Sequence, residues 1–158
     1  MLKEIFALCL ILLFGILYLY TYFKVQKRFF DNIWETKNIA TLLLFIASNI
    51  SGGLNLLQIS DMSGNMIQFF LKSDIYLKPI GYLFLFFLGM WCWSFLLFRL
   101  SFYFVGFLTK EDETEQIKNN NLEISLIHSF VLLFITLLSS KYIVKIASTF
   151  IPYPEFPF

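Results

Sequence analysis

Long apolar runs alternate with short polar breaks along the chain. The runs cover about residues 5–23, 38–59, 79–106 and 122–140. At about 1.5 Å per helical residue, each can cross the roughly 30 Å hydrocarbon layer of a bilayer. The pattern therefore predicts four spanning helices in one membrane domain, 1–158. The first run is as long as a span, ends in Tyr18, Tyr20 and Tyr22, and is followed by no small-residue cleavage site. It reads as an uncleaved helix with an aromatic interface belt rather than a signal peptide.

The breaks differ in character. "KVQKRFFDNIWETKN" is basic at its start. "SDMSGNMIQFFLKSD" carries the Ser, Gly and Asn of a loop, with "NMIQFFLK" predicted as one or two helical turns in the interface. Pro79 suits the first turn of the third helix, whose 19 residues from 80 to 98 suffice to cross. The stretch "LSFYFVGFL" after Arg99 is expected to extend that helix or to lie in the interface. "TKEDETEQIKNNN" is the most polar stretch. Lys141 and Lys145 mark the exit of the fourth run, and the three prolines of "IPYPEFPF" end any helix.

Composition supports the membrane class. The chain is 58% hydrophobic, 20% aromatic and 15% charged, with a mean hydropathy of +0.72, whereas soluble domains carry about a quarter charged residues. A net charge of +1 gives no field for nucleic acid. Cys9 and Cys92 both sit in apolar runs and are expected to be unpaired packing or lipid-facing residues. The sequence has no Cys/His cluster with metal-ligand spacing, no Walker or dinucleotide motif and no recognisable catalytic triad, so no cofactor and no enzymatic activity are expected.

With four spans, both termini share one side. The linker side carries Lys24, Lys27, Arg28, Lys37, Arg99, Lys110 and Lys118, seven in all. The other side carries Lys3, Lys72, Lys78, Lys141 and Lys145, five in all. The positive-inside rule then places the linkers in the cytoplasm and the termini outside.

Asn38 and Asn121, 83 residues apart, each follow an acidic polar linker and each open a span. Asp31 and Glu35 precede the first, Glu113 and Glu115 the second. The organisation is span, acidic linker, Asn, span, repeated in halves of about 1–60 and 76–145. Two spans per copy insert both copies the same way, as a parallel repeat. Asn at a helix start accepts from the free N–H groups of the first turn, which are costly to leave unpaired near lipid. The expected fold is thus all-α, an integral membrane protein of four transmembrane helices in two parallel two-helix repeats. "ETKNIATLLLF" and "EQIKNNNLEISL" resemble the helix-start motif of the YjfL-like family of small four-span bacterial inner-membrane proteins. The resemblance maps the motif onto Asn38, Ala40 and Asn121. It departs at Glu123, where the family has a small residue. It implies two repeats, a bacterial inner-membrane location and a likeness to parts of envelope-stress systems.

Candidate functional residues follow from polarity inside the runs. Ala40, Ala47, Ser48, Ser51, Gly52 and Asn55 fall mostly on one face of the second helix, a stripe that lets another helix approach closely. His128 lies about two turns into the fourth helix, with Ser125, Ser129 and Thr136 near its face, forming a candidate intramembrane polar site. Its plainer reading is a neutral histidine bonded across a helix interface; the sharper one is a proton-sensitive or ion-lining group. Glu123 reads as a first-turn acid that complements the helix dipole, and its spacing makes it a poor direct partner for His128. Arg99 reads as an interface anchor. The aromatic run "YLFLFFLGMWCWSFLLF" is expected to face lipid, with Gly81 and Gly89 offering a close helix contact. The functional expectation is a non-enzymatic scaffold or sensor subunit that passes an envelope state to a cytoplasmic protein partner through 110–120. It would act as a homo-oligomer or within a larger membrane complex. The rival is a small oligomeric ion channel, including a membrane-perturbing effector of phage defence, with the second and fourth spans lining the axis.

Overall fold

The computed structural model describes residues 2–29, 38–72, 78–109 and 113–149. Asp31, Glu35 and Lys37 of the first linker, Lys110, Glu111 and Asp112 of the second, and the tail from 150 onward lie outside them. All regular structure among the described residues is helical: α1 (Leu2–Phe29), α2 (Ile39–Lys72), α3 (Lys78–Thr109), the short α4 (Glu113–Lys118) and α5 (Leu122–Ser148). The four long helices are long and apolar enough to cross a membrane.

Their order in space follows from a few contacts. Tyr22 Oη reaches the Ser48 carbonyl at 3.2 Å and Tyr18 Oη the Gly52 carbonyl at 3.3 Å, so α1 and α2 are antiparallel. Ser101 of α3 meets His128 of α5 at 2.7 Å, also antiparallel. Ser125 Oγ donates to the Ala40 carbonyl, and Ser51 meets Thr136 at 2.7 Å. Both pairs are 85 residues apart, so α2 and α5 are parallel and in register. Phe14 stacks on Phe87 at 5.6 Å, and the tilted rings of Tyr22 and Phe95 meet at 5.3 Å. Both pairs are 73 residues apart, so α1 and α3 are parallel too. The bundle is two layers, α1 with α3 and α2 with α5, running opposite ways. Half of the most apolar stretch of α2 is buried, against 22% in α1 and α5, because α2 packs on the other three long helices.

The core divides into two clusters. One, at the distal end of α2, gathers Ala7, Ile59, Met66, Ile67, Phe70, Leu83 and Phe87. The other, near the linkers, gathers Ala40, Leu44, Leu97, Phe98, Ile117 and Leu132. All six stripe residues of α2, Ala40, Ala47, Ser48, Ser51, Gly52 and Asn55, are buried. Gly52 permits the closest approach: a Cβ there would stand 2.6 Å from Tyr22 Cε1.

Several expectations are corrected. The predicted loop after residue 59 is helix, since α2 runs unbroken to Lys72. Ile59, Met62, Ser63, Met66, Ile67, Phe70 and Leu71 are buried at helical spacing, against the first turns of α1 and α3. Phe70 stacks on Tyr82 at 5.5 Å. Burial of that stripe outweighs the turn tendency of Ser, Gly and Asn. Of the three tyrosines read as a belt, only Tyr20 is exposed, at 61%; Tyr18 and Tyr22 point inward and are 3% and 1% exposed. The run 82–98 of α3 is two-faced rather than wholly outward, with Leu83, Phe86, Phe87 and Met90 buried and Phe84, Leu85 and Leu88 exposed. Gly81 and Gly89 are exposed, and a Cβ at either meets no atom within 4 Å, so they make no helix contact inside the bundle. α5 continues past Lys141 and Lys145 to Ser148.

Gly52→Ala should destabilise the bundle by about 1–3 kcal/mol through overpacking against Tyr22, seen as a lower unfolding midpoint in detergent. Gly53→Ala, where an added Cβ meets nothing within 4 Å, shares the helix-propensity gain without the clash and should not lower the midpoint.

Candidate functional site

Three helix ends meet where the linkers reach the bundle. α4 ends in a left-handed turn: Asn120 has φ 63°, a conformation asparagine tolerates better than most residues. Asn120 N–H donates to the Ile117 carbonyl at 3.1 Å and Asn121 N–H to the Gln116 carbonyl at 3.0 Å, the two bonds of a Schellman ending with Asn in the usual glycine position. The last carbonyls of α4 take a further donor from elsewhere. Asn38 Nδ2 donates to the carbonyls of Ile117 and Lys118, both at 2.8 Å. The same side chain caps α2, because its Oδ1 accepts from Ala40 N–H at 3.0 Å and Thr41 N–H at 3.3 Å. Ala40 N–H also reaches Asn120 Oδ1 at 3.1 Å. Asn121 in turn caps α5, accepting from Ile124 N–H at 3.3 Å, and its Nδ2 donates to Gln116 Oε1 at 3.1 Å. Asn38, Asn120 and Asn121 thus tie α2, α4 and α5 into one clasp.

Below the clasp, polar side chains pair across the bundle interior. His128 and Ser101 are both fully buried, with Nε2 and Oγ 2.7 Å apart. Ser101 Oγ also donates to the Phe98 carbonyl at 2.7 Å. The hydroxyl has one proton: turned to Phe98 it leaves its oxygen to accept from Nε2–H, and turned to the ring it makes Nε2 the acceptor. The ring lies edge-on to Phe102, with centroids 3.9 Å apart. Thr136 bonds to Ser51, and Ser129 Oγ donates to the Ser125 carbonyl at 2.8 Å. Ser125 and Thr136 are buried on the His128 face and Ser129 is half-buried, whereas Glu123 and Arg99 are exposed away from it. His128 bonds to Ser101 of α3, Ser125 and Thr136 bond to Ala40 and Ser51 of α2, and Ser129 bonds within its own helix.

A second network was not anticipated. Tyr18 Oη lies 2.8 Å from Ser94 Oγ, and Asn55 Nδ2 donates to that same oxygen at 2.8 Å. Tyr22 Oη lies 3.1 Å from Ser48 Oγ, and Gln26, one turn further along α1, is fully buried. The signal was present in the four-residue spacing of Tyr18, Tyr22 and Gln26 and the seven-residue spacing of Ser94 and Ser101, each a single helix face. Between α1 and α3 an apolar groove of about 270 Å³ opens beside Phe14, Leu17, Tyr18, Phe84, Phe87 and Trp91. Among the described residues no group of three His, Cys, Asp or Glu side chains could hold a metal ion, and Cys9 and Cys92 are free and exposed.

Compared with known protein families, curated proteins and solved structures, the chain matches none.

Two tests address these contacts. Asn38→Asp keeps the acceptor for Ala40 and Thr41 but loses the donor to α4. Hydrogen exchange should then quicken at α4 while the start of α2 stays protected. Asn38→Ala should expose both, at a cost of about 1–2 kcal/mol from the lost cap. For the interior pair, a double-mutant cycle of His128→Phe and Ser101→Ala, read by unfolding in detergent, should give a coupling of about 0.6–2 kcal/mol.

Proposed function

We propose that the chain is a non-enzymatic, multi-pass subunit of the bacterial inner membrane. It acts as a scaffold or sensor in an envelope-stress or larger membrane complex, with its linkers in the cytoplasm and its termini outside. The observation that carries this reading is the clasp. Asn38 holds two carbonyls of α4 at 2.8 Å, and Ile117 is buried in the core between α2, α3 and α5. The acidic linker helix is therefore fastened to the starts of α2 and α5 instead of hanging free. Any shift of those two helices is passed to Thr114, Glu115 and Lys118, which are exposed for a soluble partner. The parallel, in-register packing of α2 on α5 agrees with two parallel two-helix repeats. The resemblance to the YjfL-like family supplies the bacterial setting. The closed His128–Ser101 pair supports a non-enzymatic reading.

The channel alternative asks α2 and α5 to present their polar faces to an axis. Their hydroxyls instead bond to each other inside one protomer, as Ser51 does to Thr136, and the outer face of α5 carries Phe130, Phe134, Leu137 and Leu138. That arrangement favours the scaffold.

A photo-cross-linker at Thr114 should capture a soluble protein from native membranes, and purified protein in liposomes should pass no ions. Conductance abolished by His128→Ala would sink the scaffold reading.

A further inference from the structure

α1 meets its neighbours through a pattern that repeats at every helical turn. Phe14, Tyr18, Tyr22 and Gln26 follow one another at four-residue steps. Leu44, Ser48, Gly52 and Leu56 do the same on α2, and Phe87, Trp91 and Phe95 on α3. Tyr22 Oη reaches the carbonyl and Oγ of Ser48, and Tyr18 Oη reaches the Gly52 carbonyl and Ser94 Oγ. One turn further along these antiparallel helices, Gln26 falls opposite Leu44, whose side chain offers it no partner. Gln26 is fully buried. Its amide lies beside the Tyr22 hydroxyl, yet neither Nε2 nor Oε1 makes a hydrogen bond of good geometry. A buried carboxamide with both ends unpaired is costly, and a leucine would fill the same space without that cost. At the other end of the series Asn55 Oδ1 is also buried and unpaired.

Both orphans gain from one movement. If α1 slides four residues, about 6 Å, toward its N-terminus, Gln26 takes the place of Tyr22 against Ser48, and Tyr22 takes the place of Tyr18 against Gly52 and Ser94. Tyr18 advances toward Asn55 Oδ1 and replaces Phe14 on Phe87, whose ring it already meets edge-on at 6.4 Å. The opposite movement would set Tyr22 against Leu44 and bring Phe14 to Ser94, stranding both polar groups, so the direction is fixed. The interface has room for the slide. Between α1 and α3 the packing is open along the groove beside Phe14, Tyr18, Phe87 and Trp91. Leu19 takes the place of Gly15, where only Leu56 side-chain atoms lie within 4 Å of a Cβ. Ile11 takes the place of Ala7 in the cluster that holds Met62, Met66 and Met90, flexible side chains that refill irregular space. Lys24 and Lys27, exposed at the trailing end, have stems long enough to keep their ammonium groups at the boundary over one turn.

We propose that α1 is a one-turn slide with two registers: the observed one, and one displaced toward the N-terminus in which Gln26 bonds to Ser48 and Tyr22 to Ser94. One-turn ratchets of this kind turn a small bias into a discrete change. Residues 30–37 join α1 to Asn38, so the slide draws the chain away from the residue that caps α2 and holds α4. The two registers rest on the packing of α1 and not on the scaffold reading, which stands if the slide fails.

Disulfide trapping in native membranes tests it, with Cys9→Ser and Cys92→Ser as background. Gly15→Cys with Leu56→Cys reports the observed register, where the Cβ position of Gly15 is 3.8 Å from Leu56 Cδ1. Leu19→Cys with Leu56→Cys reports the displaced one, because a turn of offset otherwise holds that pair beyond the reach of a disulfide. The proposal expects both bridges to form on oxidation. Gln26→Leu removes the amide that gains by the slide and should slow the 19–56 bridge about fivefold, the worth of one ordinary hydrogen bond, while the 15–56 bridge persists. Gln26→Tyr, which fits the Tyr22 place but crowds Leu44, should quicken the 19–56 bridge at the expense of 15–56. A 19–56 bridge no faster in the background protein than that of Leu12→Cys with Leu56→Cys, a pair that neither register joins, would overturn the slide. So would a 19–56 rate unchanged by Gln26→Leu, or both bridges quickening together, the sign of general loosening.

Discussion

A helix that begins or ends against packed neighbours must find partners for its free backbone groups, and this chain brings three such ends into hydrogen-bond contact. Asn38 serves two of them with one carboxamide, its oxygen on the amides of α2 and its nitrogen on the carbonyls of α4. Everything beneath depends on that geometry. It sets the start of α2 beside the start of α5, which lets Ser125 reach Ala40 and, eleven residues on, Ser51 reach Thr136. A polar interior between α2 and α5 then becomes affordable, because the hydroxyls of Ser125, Ser51 and Thr136 arrive opposite partners.

How much of this could be read in the residues depends on the range of the interaction involved. The four apolar helices follow from composition and length, which are local properties. The capping role of Asn before an apolar run is also local, and Asn38 and Asn121 were singled out for it. Asn120 was missed because its acceptor duty lies on a helix 80 residues away, and no local pattern reports that. α2 beyond residue 59 was misread because Ser60, Ser63, Gly64 and Asn65 speak for a turn while the buried set from Met62 to Leu71 speaks for a helix. Contact with the ends of α1 and α3 decides between them.

The polar residues teach a related lesson. Tyr18 and Tyr22 belong by type to an interface belt, yet their rings turn inward and their hydroxyls find Ser94 and Ser48. Residue type gave depth, while the four-residue spacing gave direction, and direction prevailed. His128 is fully buried, and its partner Ser101 sits on a different helix, amid a run dominated by aromatics. Gly81 and Gly89 show the converse. Small residues on a helix permit close approach without requiring it, and here no neighbour comes near them.

The three consecutive asparagines look interchangeable and are not. Asn119 closes the last turn of α4, Asn120 takes the left-handed backbone, and Asn121 opens α5. Each residue in a helix advances the chain by about 100° of rotation. Losing or gaining a single asparagine would leave the composition of the turn almost unchanged while swinging His128, Leu132 and Thr136 toward the outer surface and carrying Phe130 or Phe134 toward the centre. The length of that short polar run is thus a reading frame for the whole of α5.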